Sequence, residues 1–250
     1  GWYGASTVTA GGNTLVYANG SYVGPEVYSV SLYTNALKVA VQKNLQPGTE
    51  NPNTGDAKVE GAKYGVYSDA GCTQLVQELI TDSNGYAETK PLEVKTYYVK
   101  ELSASEGCKV NSTVMTATPS DAATTANGQK LVTVGSNEDV IYGGFRLVVS
   151  DSEDLSGSTT KWPSVGSKLQ LVLDSDYDAG RATLNTTTEE YEGQQVYTEI
   201  VDDRGYAEFT DIPYGRYTCY QVTRRDDGDN NDDLDLMDPM GIFIASEETY

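Results

Sequence analysis

Side chains able to do chemistry are few in this sequence and unevenly placed. The chain has 250 residues and no histidine, which removes the commonest general base, the usual catalytic zinc ligand and any serine–histidine–aspartate arrangement. Three cysteines, Cys72, Cys108 and Cys219, lack the CxxC spacing of a zinc site. The densest acidic run, "RRDDGDNNDDLDLMD" from Arg224 to Asp238, sets Asp227, Asp229 and Asn231 at alternate positions around a glycine. Hard oxygen ligands spaced in that way can wrap Ca²⁺. The run lacks the bidentate glutamate of an EF-hand, and a solvated acidic loop is the competing reading. A further signal is a contrast within a repeat. "NGYAETKPLEVKTYYVKEL" from Asn84 and "RGYAEFTDIPYGRYTCYQV" from Arg204 align without a gap, yet Glu101 in the first faces Gln221 in the second.

The elements that position these groups are read from the same repeat. "GAKYGVY" from Gly61 corresponds to "GSKLQLVL" from Gly166, and "LKVAVQKN" from Leu37 to "FRLVVSDS" from Phe145. Each run is apolar or alternating, as strands are, and Asn84-Gly85 is a two-residue turn signal. The second copy carries an additional polar stretch, "DSDYDAGRATLNTTTEEYEGQQ", which reads as a long loop or an extra hairpin. Short strands at this spacing predict an all-β chain of two tandem β-sandwiches. The expected division is an N-terminal β-rich segment over 1–36, a first domain over 37–141 and a second over 142–250, with the boundary near Ile141.

Composition agrees and narrows the classes of function. Tyrosine (19) and glycine (25) are abundant, as in strands joined by tight turns. Thirty-seven acids against 17 bases give a net charge of −20, which repels nucleic acid and anionic membrane surfaces. No apolar run approaches the length of a membrane span, and no basic-plus-apolar leader opens the chain; either a leader has been removed or the chain is a fragment. No nucleophile motif supports an enzyme. Tyrosine clusters such as "TYYV" and "PYGRYTCY" are cross-strand pairs or, where exposed, platforms for a glycan or protein partner.

The succession "LKVAVQKN", "GAKYGVYSD", "TDSNGYAETKPL", "TYYVKEL" resembles the Cna-B or SpaA-type prealbumin-like domains of Gram-positive surface proteins and pilins. The resemblance covers residues 37–141 closely and 142–250 more loosely. It implies Ig-like sandwiches and an extracellular, cell-surface or cell-wall location. The function it implies is that of a structural or adhesive module rather than an enzyme, with neighbouring pilin or stalk subunits, a host protein or a host glycan as partners. A ligand-binding module presented on the second domain is the alternative. Many such domains carry a self-formed isopeptide bond between a first-strand lysine and a last-strand Asn or Asp, assisted by a glutamate. Carried over, the lysine is Lys43, the glutamate is Glu101, and the acceptor is Asn137 with Asp139 as its competitor. No cofactor is implied; calcium is the one candidate ion. The second copy has Val149 and Gln221 in place of Lys43 and Glu101, so a crosslink is expected in the first domain alone. An extracellular setting also favours a Cys72–Cys108 disulfide over three free thiols, leaving Cys219 single.

Overall fold

Alternating β-branched and aromatic residues, broken by turn residues, produce short strands along the chain. The computed structural model describes residues 5–10, 13–18, 36–126, 128–152, 161–223 and 236–246. A hairpin comes first, β1 (Ala5–Ala10) paired with β2 (Asn13–Ala18). The first sandwich comprises β3 (Ala36–Gln46), β4 (Lys63–Tyr67), β5 (Leu75–Ile80), β6 (Tyr86–Glu88), β7 (Leu92–Glu93), β8 (Tyr97–Ser103), β9 (Val114–Ala117), β10 (Ala123–Thr124) and β11 (Lys130–Asp139). One layer runs β10-β11-β3-β6, with β7 also on β3, and the other runs β5-β4-β8-β9.

The outermost strands in sequence, β3 and β11, lie side by side in parallel, in unbroken register from Leu37↔Lys130 to Gln46↔Asp139. Parallel neighbours need a crossover rather than a tight turn. Here the whole of the intervening sandwich is that crossover. Leu37, Val39 and Val41 of β3, Val132 and Val134 of β11, Tyr64 and Val66 of β4, and Tyr97 and Val99 of β8 fill the space between the layers.

The second sandwich repeats the plan with β12 (Tyr142–Val148), β13 (Ser150–Ser152), β14 (Lys161–Pro163), β15 (Lys168–Leu173), the helical turn α1 (Asp174–Asp178), β16 (Thr183–Asn185), β17 (Glu190–Glu192), β18 (Val196–Ile200), β19 (Tyr206–Pro213), β20 (Gly215–Thr223) and β21 (Met240–Ile244). Strand β12 pairs with β19, opposite a sheet ordered β18-β15-β20-β21. The core is Phe145, Leu169, Leu171, Phe209, Ile212 and Tyr217 with their neighbours, Phe145 and Phe209 being stacked at 5.0 Å. The polar insertion forms α1 and the β16–β17 hairpin. Buried Asp176 ties it down by accepting from Arg181 Nε at 2.7 Å and Gln195 Nε2 at 3.1 Å. Among the described residues the chain is therefore all-β, as its pattern predicts, except for a 3₁₀ turn at Pro119–Asp121 and α1, which lies where the sequence reading takes a loop or hairpin.

Residues 48–57 of the first sandwich are stitched to the second. The Tyr142 hydroxyl accepts from Gly48 N at 2.8 Å and donates to Asn53 O at 2.6 Å. Asn51 Nδ2 donates to Asp211 O at 2.8 Å, Gly55 N to Gln195 Oε1 at 2.9 Å, and Asp56 N to Tyr214 O at 2.8 Å. Asp56 also accepts from Ser175 Oγ and from Arg216 N. Gly55 has φ +57°, and a Cβ there would lie 2.0 Å from Tyr214 O. Gly55→Ala is accordingly expected to open this joint and cost about 1–3 kcal/mol, read as faster amide exchange at Asp56 and a lower melting temperature. Gly135→Ala, where a Cβ meets nothing within 4 Å, is the matched control.

Candidate functional site

The same period of two that builds the first core delivers polar groups into its end. On β3 the inward row Leu37, Val39, Val41 continues to Lys43; on β8 Tyr97 and Val99 continue to Glu101; on β11 Val132 and Val134 continue to Ser136 and Glu138. Tyr64 stands on β4 in register with Glu101. Lys43, Ser136 and Glu138 thus belong to one layer and Tyr64 and Glu101 to the other, so the group is enclosed between sheets. Lys43, Glu101 and Glu138 are 1 %, 2 % and 0 % exposed.

Lys43 Nζ forms a close ion pair with Glu138 Oε2 and lies 3.9 Å from Glu101 Oε1. Glu101 Oε2 accepts the backbone N–H of Asn111 at 2.5 Å, which fixes the carboxyl and aims its other oxygen at the amine. Glu138 Oε1 is held by the Tyr64 hydroxyl, and Ser136 Oγ lies 3.3 Å away. Among the described residues, Lys43 Nζ, Glu101 Oε1 and Glu138 Oε2 are the buried side-chain atoms with no hydrogen bond, and the amine is the common neighbour of the two carboxyl oxygens. Burial holds the Lys43 amine below its ordinary range, partly opposed by Cys108 and Glu101. Burial likewise raises Glu101, opposed by the Asn111 N–H and by Lys43. Both shifts favour uncharged forms: an amine with a free lone pair, and a Glu101 carboxyl that carries its proton.

The structure brings Lys43 and Glu101 together and leaves the expected acceptors outside. Asn137 and Asp139 alternate with Glu138 and are exposed. Asn137 Oδ1 accepts from Asn44 Nδ2 at 3.3 Å, bridging the solvent side of β3 and β11, and its carbonyl accepts from Asn111 Nδ2 at 3.1 Å. A one-residue step along a strand reverses the face, so Glu138 takes the place assigned to Asn137. Val132 and Val134 carry the signal that finds it, because counting in twos from them reaches 136 and 138. The Cys72–Cys108 disulfide is also corrected, since all three cysteines are free thiols. Cys72 sits in the turn beyond the far end of β4, whereas Cys108 is buried beside Lys43 and bridges Val140, so the length of a strand separates the two. The calcium candidates Asp227, Asp229 and Asn231 lie outside the described residues. Among the described residues no group of His, Cys, Asp and Glu could hold a metal ion.

The positions of Lys43, Glu101 and Tyr64 are filled by uncharged side chains in the second sandwich. Lys43 N bonds Gly85 O and Val149 N bonds Gly205 O, both at 2.8 Å, which aligns Val149 with Lys43. Leu169 stands in register with Gln221 as Tyr64 does with Glu101. Gln221 Oε1 accepts Met237 N at 2.8 Å, so the amide retains the carboxyl's bracing role without its acidity.

Residues 50–131 match the SpaA family, described as a prealbumin-like fold domain. The chain is similar in structure to the Bacillus anthracis TIE protein, with a TM-score of 0.53 and 16 % identity over 86 % of this chain and 32 % of that one. It spans about a third of that relative's length. Similarity extends to the pilus adhesin SpaC of Lactobacillus rhamnosus GG (TM-score 0.43, 13 % identity, 84 % of this chain and 26 % of that one). It extends also to a minor pilin of Streptococcus agalactiae (TM-score 0.33, 14 % identity, 85 % and 92 %). No curated protein matches at a significant level. The match and the TIE likeness establish the prealbumin-like, Ig-like sandwich.

Two measurements check this geometry. Thiol reagents are expected to modify Cys72 in the folded chain and Cys108 and Cys219 only after unfolding, three equivalents in all; uptake of a single equivalent after unfolding without reductant would restore the disulfide. A Lys43→Met chain has no amine, and its Glu101 keeps a raised folded pKa. Its unfolded carboxyl ionises near the ordinary 4.5 while the folded one stays protonated, so stability falls as pH rises from there and levels off above the raised value. Adding Glu101→Gln makes that fall smaller, measured as urea midpoints from acid to neutral pH.

Proposed function

We propose that the chain is a structural module of a Gram-positive-type surface protein or pilus, working outside the cell, with residues 37–141 and 142–250 as successive domains. The first is locked by an amide bond between Lys43 Nζ and Glu138 Cδ. One observation carries this reading: the buried Lys43 amine lies in closest contact with the buried Glu138 carboxyl, with Glu101 3.9 Å from the amine, where the first and last strands of the sandwich meet. Burying such a pair is costly, and Lys43 Nζ and Glu138 Oε2 are the atoms that a condensation would join to carbon and expel as water, respectively. The SpaA-type match over residues 50–131 supports the surface role. Partners are then neighbouring subunits of the same stalk or filament and the host surface that it reaches.

The chemistry uses only this chain. A proton passing from the Lys43 ammonium to the Glu138 carboxylate leaves a neutral amine against a neutral acid, the pair that burial favours. Nζ attacks Cδ, the N–C bond forms, and the Cδ–Oε2 bond breaks. Glu101, protonated and 3.9 Å from Nζ, hands a proton toward Oε2 and recovers one from nitrogen, so that Oε2 departs as water. Effective molarities of about 10⁵–10⁸ M for groups held in contact favour the amide over hydrolysis. The bond closes a loop of about 95 residues, worth about 4–5 kcal/mol in the chain-entropy account, and reducing agents leave it intact.

Intact mass tests the reading. The purified chain is expected to be about 18 Da light, one water, through the condensation of a carboxyl with an amine. Lys43→Arg and Glu101→Gln should carry the full mass. Asn137→Ala should still lose water, whereas Glu138→Gln should close with loss of about 17 Da as ammonia. A full-mass wild-type chain, or closure that disappears with Asn137, removes the Lys43–Glu138 strut.

A further inference from the structure

Attack of an amine on a carboxyl carbon drives negative charge onto the oxygen that stays behind, and a water-free pocket must supply fixed donors for it. The two oxygens of Glu138 already differ. Oε2 faces Lys43 Nζ and accepts no hydrogen bond. Oε1 is held by the Tyr64 hydroxyl, with Ser136 Oγ 3.3 Å away.

We infer that Tyr64 is a catalytic residue of the crosslink, forming with Ser136 a two-hydroxyl oxyanion pocket that retains Oε1 as the amide oxygen and leaves Oε2 to depart. The inference rests on the Lys43–Glu138 reading and adds to it the group that stabilises the tetrahedral intermediate. In that intermediate nitrogen, Oε1 and Oε2 share one carbon. Collapse breaks Cδ–Oε2, one proton moves from nitrogen through Glu101 to Oε2, and one water leaves with no change of oxidation state.

Position and chemistry agree. Tyr64 comes from β4 and the proton carrier Glu101 from β8, directly paired; amine and acceptor come from β3 and β11 of the facing layer. Tyr64 and the shuttle therefore reach the reacting carbon from one layer, while the nucleophile, the acid and Ser136 belong to the other. Burial pushes the Tyr64 phenol up to about 12, so it remains a proton donor throughout the neutral range. Tyr64 is wholly buried, and a hydroxyl placed there with only packing to do would cost more than phenylalanine. In the second sandwich the donor is lost with the reaction: Leu169, Val149 and Gln221 replace Tyr64, Lys43 and Glu101.

The test follows closure of the full chain over time after cell-free synthesis, read by mass as the loss of one water. Tyr64→Phe, which keeps the ring, is expected to slow closure about 10²–10³-fold, the usual cost of one oxyanion donor. Ser136→Ala should slow it by a smaller factor, and both should end at the same light mass. Stability is measured in parallel in a Lys43→Met background, where nothing can close. Slow closure with melting unchanged by Tyr64→Phe supports the chemical role. Closure at the wild-type rate, or slowing accompanied by an equal loss of stability, overturns it. If Tyr64→Phe does not fold, undiminished closure in Ser136→Ala overturns the pocket and slowed closure supports it. A wild-type chain that never loses water overturns the crosslink itself, a result distinguishable from failure of Tyr64 alone.

Discussion

A lysine amine shut away from water between two sheets sets the terms for the first sandwich. Charged, it needs a partner, and burying an ammonium with a carboxylate costs several kcal/mol per ion before their attraction returns anything. Replacing a buried pair by apolar residues of similar size is often neutral or stabilising. The two sandwiches embody two ways out of that cost. In the second, Val149, Leu169 and Gln221 make the region neutral by substitution. In the first, Lys43, Glu101 and Glu138 keep titratable groups, the shifts of Lys43 and Glu101 run toward neutrality, and condensation would make the neutral state permanent. Retaining three such groups together at a dry strand junction makes physical sense when they react and little when they only pair.

Much of this was legible in the sequence. The internal repeat placed the strands, and the turn at Asn84-Gly85 and the polar insertion after Leu173 fall where the pattern put them. Lys43 and Glu101 stand together in the core as the resemblance implied. Asn137 misled because its side-chain type matched while its parity did not. Strand faces alternate strictly, and a residue of the right chemistry on the wrong face cannot reach across. Tyr64 and Ser136 were illegible for a different reason: a tyrosine and a serine in strands are ordinary there, and only the fold shows both hydroxyls meeting the same carboxyl oxygen. The pairing of Cys72 with Cys108 failed on separation in space, which sequence distance does not encode.

The parallel β3–β11 pair also decides how force crosses the chain. Tension entering β3 at Ala36 and leaving β11 at Asp139 would, without a covalent tie, shear these strands apart and then unravel everything between them. With Lys43 joined to Glu138, the covalent path runs from the start of β3 through the side-chain amide to the last residues of β11, and residues 44–137 bear none of the load. Tension then passes directly into the connection between sandwiches, which has no slack. Val140 N bonds Gln46 O at 3.1 Å, Ile141 N bonds Gly107 O at 2.9 Å, and Tyr214 N bonds Ile141 O at 2.8 Å, so successive residues of the connector are held first by one sandwich and then by the other. Tyr142 follows at once, with its hydroxyl anchored in the 48–53 loop. The proposed strut at Glu138 would thus adjoin the connector at 140–142 on one load path.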